Sequence, residues 1–595
     1  MKHSLEFLQT KELLSYLTSK RKTQLSFIGI LMIFGSFAEV ASIGLVIPFL
    51  GALTTPEALY QSHFFSPIIN YFGINSPDQL LLPFTIFFII AVIFSGIIRG
   101  FLVYVTIRFS HDVGHDLGMN VYQRTLYQSY SYHANQNSSE LINGVVLKVN
   151  TITGGVIQPL LVISSSILLM AGIVAALMFV DVVTSISAFC LFGLLYLAVI
   201  KLTHKQLRHN SGNVAHYSTQ LIKSLQEGLG GIRDVLIDGS QDFFCKIYKD
   251  SDIPLRKALG DNTFIASSPR FIMEALGMSL IAILAYSLTL TSRGFEYVIP
   301  TLGALALGAQ RLLPSMQQSY DAYSKLKGSQ ASLTDLLKIL NQKLPNFVGQ
   351  PPEEQMPFEK AIELQNLGFQ YSTDTPMIFK NINLKITKGS TVGFIGETGC
   401  GKTTLLDIIM GLLYPTEGEI LIDNKIIDES NRRPWQSNIA HVPQNVYLSD
   451  SSITDNIAFG ISKDEIDYEK IKSVAKQAQI SEIIESLKDG YETFVGEQGI
   501  KLSGGQRQRI GIARALYRDA NVLIFDEATS SLDTVTEKFV MDSIGSLGKN
   551  LTILIIAHRL TTLKQCDYVV EVISKSKLVK KNPLEVIRNE KNDIF

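Results

Sequence analysis

A chain of 595 residues exceeds what a single hydrophobic core organises, so at least two domains are expected. With 53 Lys and Arg against 54 Asp and Glu, the formal charge of −1 gives no sign of nucleic-acid binding by bulk electrostatics. The four cysteines (Cys190, Cys245, Cys400 and Cys566) lack paired spacing, which argues against a disulfide framework or a zinc site.

The N-terminus is polar and amphipathic and carries Lys20, Arg21 and Lys22 before the first apolar stretch, the pattern of a retained anchor rather than a cleaved leader. Apolar runs of about 20 residues or more, long enough to cross a bilayer as helices, fall at about 23–52, 81–108, 154–180, 182–203, 264–292 and 296–318. A turn around Asp181 makes a hairpin of the third and fourth runs, and the short TSRGFE segment makes one of the fifth and sixth. Six crossings return the chain to its starting side, which places the N-terminus and the second half of the chain in one compartment.

Basic residues orient the bundle. The connection from Gly51 to Gln79 has no Lys or Arg, whereas that from His204 to Asn262 carries Lys205, Arg208, Arg233, Lys246, Arg256 and Lys257. The first is expected outside and the second in the cytoplasm. The external segment PEALYQSHFFSPIINYFG fits either an interfacial amphipathic helix or a loop packed on the bundle. The connections 109–153 and 204–262 show helical periodicity and are expected to continue the membrane helices into the cytoplasm. A polar, proline-bearing linker at 341–360 separates a membrane domain, 1–340, from a more highly charged domain, 361–595.

That second domain opens with strand-like TVGFIG, then GETGCGKT from Gly396 to Thr403, then helix-like TLLDIIMGLL. Strand, glycine-rich loop and helix N-terminus form a phosphate loop: Gly396, Gly399 and Gly401 let backbone amides wrap phosphates. Lys402 is expected on the β- and γ-phosphates of ATP, with Thr403 on Mg2+ and Thr404 beside it in the nucleotide site. VLIFDE, from Val522 to Glu527, reads as a buried strand ending in two carboxylates. Asp526 is expected to help hold Mg2+ and Glu527 to polarise the attacking water.

Upstream of these carboxylates lies LSGGQRQR, Leu502 to Arg509, and with it the domain resembles the nucleotide-binding domain of ATP-binding cassette (ABC) proteins. The resemblance implies an all-α six-helix transmembrane bundle with long cytoplasmic extensions, followed by an α/β P-loop domain: a type IV exporter half-transporter. It implies that Tyr371 in GFQYS stacks on adenine and that Gln444 in HVPQN contacts the γ-phosphate, Mg2+ and the membrane-domain loops. It also implies that Glu497 in FVGEQG lies beside those loops, that Asp533 in SSLD belongs to the dimer-contact loop, and that His558 in IIAHRL contacts the γ-phosphate. A homodimer follows, with Ser503, Gly505 and Gln506 of one subunit closing the ATP site of the other. Cys400 is read as tolerated in the loop rather than catalytic.

Membrane-half segments carry a finer resemblance. FAEVASIGLVIPFLGAL, FSGIIRGFLVYVTIRFS, SSPRFIMEALG and ALGAQRLLPS are similar to the flippases for lipid-linked oligosaccharides of bacterial protein N-glycosylation. That family's diphosphate-recognising arginines would fall on Arg99, Arg270 and Arg311, the cargo being a lipid-linked oligosaccharide and the location the bacterial inner membrane. Guanidiniums suit the task because they stay charged and present paired donors. The same arginines have an internal reading: Arg270 pairs with Glu274 four residues on, and Arg99 or Arg311 neutralises a buried carboxylate such as Glu39. A multidrug, lipid or peptide exporter is the alternative. Its test is cargo dependence on these arginines.

Overall fold

A computed structural model describes residues 2–54, 56–62, 66, 73–178, 182–289, 294–350, 354–372, 374–527, 533–545, 551–557 and 563–592. The chain divides into two compact units. One comprises 1–128 and 136–346, the other 129–135 and 347–595. The units adjoin at Asn346/Phe347, within the stretch 341–360 read as a linker. The short helix Tyr130–Asn135, which the sequence assigns to the membrane domain, clusters instead with the second unit.

The first unit is helical. Among the described residues four stretches are long and apolar enough to cross a membrane: Ser19–Thr54, Pro77–Leu126, Ser138–Met178 and Phe189–Gly230. Two further helices, Pro269–Thr289 and Gly294–Gly328, run through the regions expected for the fifth and sixth spans. The helices Leu81–Leu126 and Val182–Gly230 are 46 and 49 residues long. At a rise of about 1.5 Å per residue they reach well beyond a ~30 Å hydrocarbon layer. The hairpin turn at 179–181, half of the external segment PEALYQSHFFSPIINYFG (63–65 and 67–72) and the turn at 290–293 lie outside the described residues.

Apolar side chains face outward along these helices, as lipid requires; Ile30, Phe37, Ile90 and Ile97 are all exposed. Helix packing relies on small residues that allow close approach. A Cβ on Gly172 would meet Val40 and Ser36, and one on Gly308 would meet Leu177. Ser36 donates across helices to the Leu168 carbonyl at 3.0 Å. One interior cluster joins Ile43, Ile173, Phe192, Met273, Leu312 and Met316, which ties the first span to the helices carrying Arg270 and Arg311.

The second unit is an α/β domain. A four-stranded antiparallel sheet has the order β2-β1-β4-β5, with β1 Ala361–Phe369, β2 Phe379–Thr387, β4 Glu417–Ile422 and β5 Lys425–Ile426. A six-stranded sheet has the order β10-β9-β3-β8-β7-β6. Its parallel centre is β3 Thr391–Ile395, β8 Thr552–Ile556 and β7 Val522–Asp526, in a register that aligns Val392 with Leu554 and Leu554 with Ile524. β6 is Ile439–Val442, and β9 (Tyr568–Ser574) pairs with β10 (Lys577–Lys581) antiparallel at the far edge. Parallel strands covered on both faces carry continuous apolar runs, which is why TVGFI, VLIFD and TILII read as strands without alternation. The helix Lys402–Ile409 buries Leu405, Leu406, Ile408 and Ile409 in one core with residues of both sheets. Its N-terminus is thereby fixed at the carboxyl edge of β3, where ligands of open α/β sheets bind.

Candidate functional site

The loop between β3 and this helix depends on three glycines. Gly396, Gly399 and Gly401 have φ of 145°, 84° and 103°, conformations that favour glycine. At Gly401 a Cβ would also strike Ile378 and Phe379 at 2.8 Å. The Lys402 ammonium curls inside the loop and donates to the carbonyls of Gly396 (2.8 Å) and Glu397 (2.9 Å). Cys400 is half-buried, with its Sγ 3.9 Å from that ammonium. Thr403 is exposed at the helix N-terminus, while Thr404 is buried and its hydroxyl lies 3.1 Å from that of Tyr371. Tyr371 is held edge-on by Phe369, 5.1 Å between ring centres, and leaves an exposed face toward the loop's surroundings.

β7 delivers the carboxylates. Asp526 ends the strand and Glu527 follows with φ 53°, a left-handed conformation of the kind that persists where surrounding structure over-determines it. The strained turn aims the Glu527 carboxylate at Gln444, whose side-chain N–H donates to it at 2.7 Å. Within the loop helix, burial, and after it the charge of Asp526, push the Asp407 carboxyl up to about 6. This concentration of negative charge suits a cation. Magnesium takes few protein ligands and completes its shell with phosphate and water oxygens. The Thr403 hydroxyl and Asp526 carboxylate fit that donor set, and the Gln444 carbonyl oxygen remains available to join it.

The signature segment is built as a helix cap. Ser503 accepts from the Gln506 amide (3.3 Å) while its own amide donates to the Gln506 side-chain oxygen (2.8 Å), a reciprocal box at the start of helix Gly504–Tyr517. The amide of Gly505 lies in that first turn, where helix N-termini favour anions. Glu497 begins a tight turn, Glu497–Gly499, beside a groove of about 540 Å³ that Gln444, Tyr447, Gln498 and Arg507 also line. Asp533 caps the helix Thr534–Gly545 by accepting from the Thr536 amide at 3.0 Å, which holds its carboxyl below the usual range. His558 lies outside the described residues.

Two neighbours of the site escape sequence reading. Asp407 looks like an ordinary polar position, although an acid within the apolar run TLLDIIMGLL is a signal. Tyr130 comes from the helix contributed by residues 129–135; its hydroxyl is raised by burial and by the nearby Asp407 and Tyr371. No local pattern connects it to residues some hundreds of positions away. Trp435 is fully buried and donates its indole N–H to the Ile409 carbonyl at 2.8 Å, at the end of the loop helix.

In the first unit, Glu39 is buried, 3% exposed, and its Oε1 receives Nη1 of Arg99 (3.3 Å) and Nη1 of Arg311 (3.0 Å). Three helices therefore meet on one oxygen. A cavity of about 130 Å³ adjoins Glu39 and Arg99 and carries the polar side chains of Ser36, Thr106, Gln158, Ser165 and Gln318. Arg270 is not brought to this cluster. Its Nε pairs with Glu274 at 2.7 Å on its own helix, and both groups are exposed.

A phosphate loop, paired carboxylates and a capped signature helix behind a membrane-spanning bundle define an ABC exporter. The family model of the ABC transporter transmembrane region matches residues 17–309, and that of the ABC transporter matches 379–530. The heterocyst differentiation ATP-binding protein HepA of Nostoc sp. is 28% identical, over 94% of this chain and 90% of its own. The ATP-dependent lipid A-core flippase of Chromohalobacter salexigens is 28% identical over 83% of this chain and 85% of its own. The fold superposes on a bacterial Atm1-family ABC exporter solved with ATP bound, at a TM-score of 0.77 and 21% identity over 96% of both chains. The chain is an ABC exporter half-transporter, a membrane ATPase whose nucleotide-binding domain drives transport.

Proposed function

We propose that the chain acts as a homodimeric flippase of a bacterial inner membrane and moves a polyprenyl-diphosphate-linked oligosaccharide, or a related glycolipid, to the outer leaflet. The observation that supports this most is the meeting of Arg99 and Arg311 on one buried oxygen inside an apolar bundle. Charge at that depth is costly and marks function by default. A diphosphate offers several acceptor oxygens, and guanidiniums hold such groups through paired, charge-assisted bonds. Arg270, exposed on a third helix, adds a further contact, while the outward apolar faces accommodate the isoprenoid chain.

At the cytoplasmic domains, ATP lies between the phosphate loop of one subunit and Ser503, Gly505 and Gln506 of the other. Tyr371 stacks on adenine; Lys402, Thr404 and the loop amides hold the phosphates. Thr403, Asp526 and Gln444 would hold Mg2+, which would supply charge neutralisation at the phosphates. Glu527 accepts the proton of the attacking water, and His558 contacts the γ-phosphate. Asp533 contributes to the dimer contact. Gln444 and Glu497 share the 540 Å³ groove, the part of the cassette proposed to couple its closure to transport.

The named lipid A-core flippase among the relatives favours a second reading, a phosphorylated glycolipid with acyl chains. A flipping assay with the purified protein in liposomes separates the readings. A lipid-linked oligosaccharide, a lipid A-type glycolipid, a hydrophobic drug and a plain phospholipid are offered side by side. Movement of the drug or phospholipid with no preference for the diphosphate-linked glycan defeats the proposal.

A further inference from the structure

We propose that Glu39 is a displaceable counter-anion: it occupies Arg99 and Arg311 between transport steps and yields them to the diphosphate of the cargo. This rests on the diphosphate-cargo reading above.

The first argument is electrostatic. Two guanidiniums drawn from different helices toward one place in a low-dielectric bundle repel each other and lose hydration. A resident carboxylate removes most of that cost, and Glu39 is the buried acid that supplies it. Two arginines and one glutamate leave one net positive charge per subunit. A homodimer doubles it, matching the two negative charges of a diphosphate diester.

The second argument is geometric. Both contacts go to the same carboxylate oxygen, each from Nη1 alone. A guanidinium has five N–H donors in a fork that bonds best through two parallel contacts. Among the described residues neither arginine makes another hydrogen bond, and their side chains are 38% and 37% exposed. The resident pairing is thus single-pronged, whereas adjacent phosphate oxygens can engage each fork twice. Glu39 itself is almost inaccessible, so the incoming anion reaches the arginines while the acid stays behind them. The polar cavity beside Glu39 and Arg99, large enough for about four waters at ~30 Å³ each, can hydrate the carboxylate once the arginines turn away.

Together these make Glu39 a specificity and release element. A cargo without a strong anion cannot displace it, and its return helps to expel the diphosphate after the bundle opens.

The test uses full-length protein in lipid nanodiscs and measures equilibrium binding of farnesyl diphosphate, with farnesol as the uncharged control. Arg99→Gln and Arg311→Gln are expected to weaken diphosphate binding, by roughly tenfold or more for each charge-assisted bond removed. Glu39→Gln is expected to do the reverse and tighten it by a similar factor while slowing cargo release in the flipping assay. Glu39→Asp keeps the charge but withdraws the oxygen, so it tightens binding by a smaller factor and serves should the amide variant fail to fold. A gain in affinity is not what structural damage produces. Unchanged or weaker binding in both Glu39 variants, with the arginine variants impaired, overturns the counter-anion and leaves the cargo reading standing. Full diphosphate binding by both arginine variants overturns the cargo reading as well.

Discussion

Gln444 donates its side-chain amide to the carboxylate of Glu527 at 2.7 Å, so the two residues proposed to act on the γ-phosphate are already in contact. Glu527 is held there by a left-handed backbone turn after a strand buried from Val522 to Phe525. The carboxylate is thus aimed by the fold rather than by substrate. The same contact links Glu527, proposed as the general base, to the groove that Gln444 and Glu497 line.

Glu527→Gln is therefore expected to keep nucleotide binding and lose turnover. General-base contributions of ~10²–10⁴ put the ATPase rate at least about a hundredfold below wild type. Because the amide can still accept from Gln444, the local geometry survives, and ATP should trap closed cassette dimers. Steady-state hydrolysis and nucleotide retention check this together. Hydrolysis near the wild-type rate would mean that Glu527 is not the base.

Trp435 offers an optical reading of the phosphate loop. It is the only tryptophan, and its indole N–H is fixed to the last carbonyl of the loop helix. Movement of that helix on ATP binding is expected to change its emission, and Lys402→Ala to abolish the change. Trp435→Phe leaves the Ile409 carbonyl without this donor and opens a cavity beside Phe358. It is expected to destabilise the domain by ~2 kcal/mol or more, read as a lower unfolding midpoint.

His441, on β6, couples stability to pH. Burial pushes its imidazole down to about 4 from the usual 6.5. Between those values the unfolded chain takes up a proton that the folded domain refuses, so stability falls as pH drops from 6.5 toward 4. The full loss is roughly 3 kcal/mol. Asp407 works in the opposite sense: its folded carboxyl is pushed up to about 6, so protonation there favours the fold as pH falls. The informative quantity is thus the difference between wild type and His441→Gln across pH 4.5–7.5. The variant should lose less stability on acidification. Parallel pH profiles for the two proteins would rule out His441 as the titrating group.

The nucleotide site could be read from the sequence because its chemistry is local. Gly396, Gly399, Gly401 and Lys402 lie close together in sequence, and each glycine has a backbone conformation that few other residues allow. Parallel strands announce themselves as unbroken apolar runs. Groups assembled across long separations are harder to read. The internal reading, Arg99 or Arg311 neutralising a buried carboxylate such as Glu39, is what the structure shows, and for both arginines at once, across 60 and 272 residues. Tyr130 joins the nucleotide-binding unit because the chain passes through it in the middle of the membrane domain's sequence. The pairing of Arg270 with Glu274 was accessible because a separation of four is itself a helical rule.

That last pair yields a prediction opposite in character to the Glu39 cluster. Arg270 and Glu274 are both exposed and adjacent on one helix, where such pairs contribute little to stability. Arg270→Ala is thus expected to leave the unfolding midpoint within about 1 °C of wild type. If Arg270 contacts cargo, the same change lowers flipping of the diphosphate-linked glycan, and Glu274→Gln, which frees the guanidinium, does not. A structural pair behaves differently: Arg270→Ala and Glu274→Gln then produce equal effects, because each removes the same bond. Measuring both variants in the flipping assay, beside thermal unfolding of the purified protein, decides between the two roles. Equal flipping losses in the two variants would remove Arg270 from the cargo site.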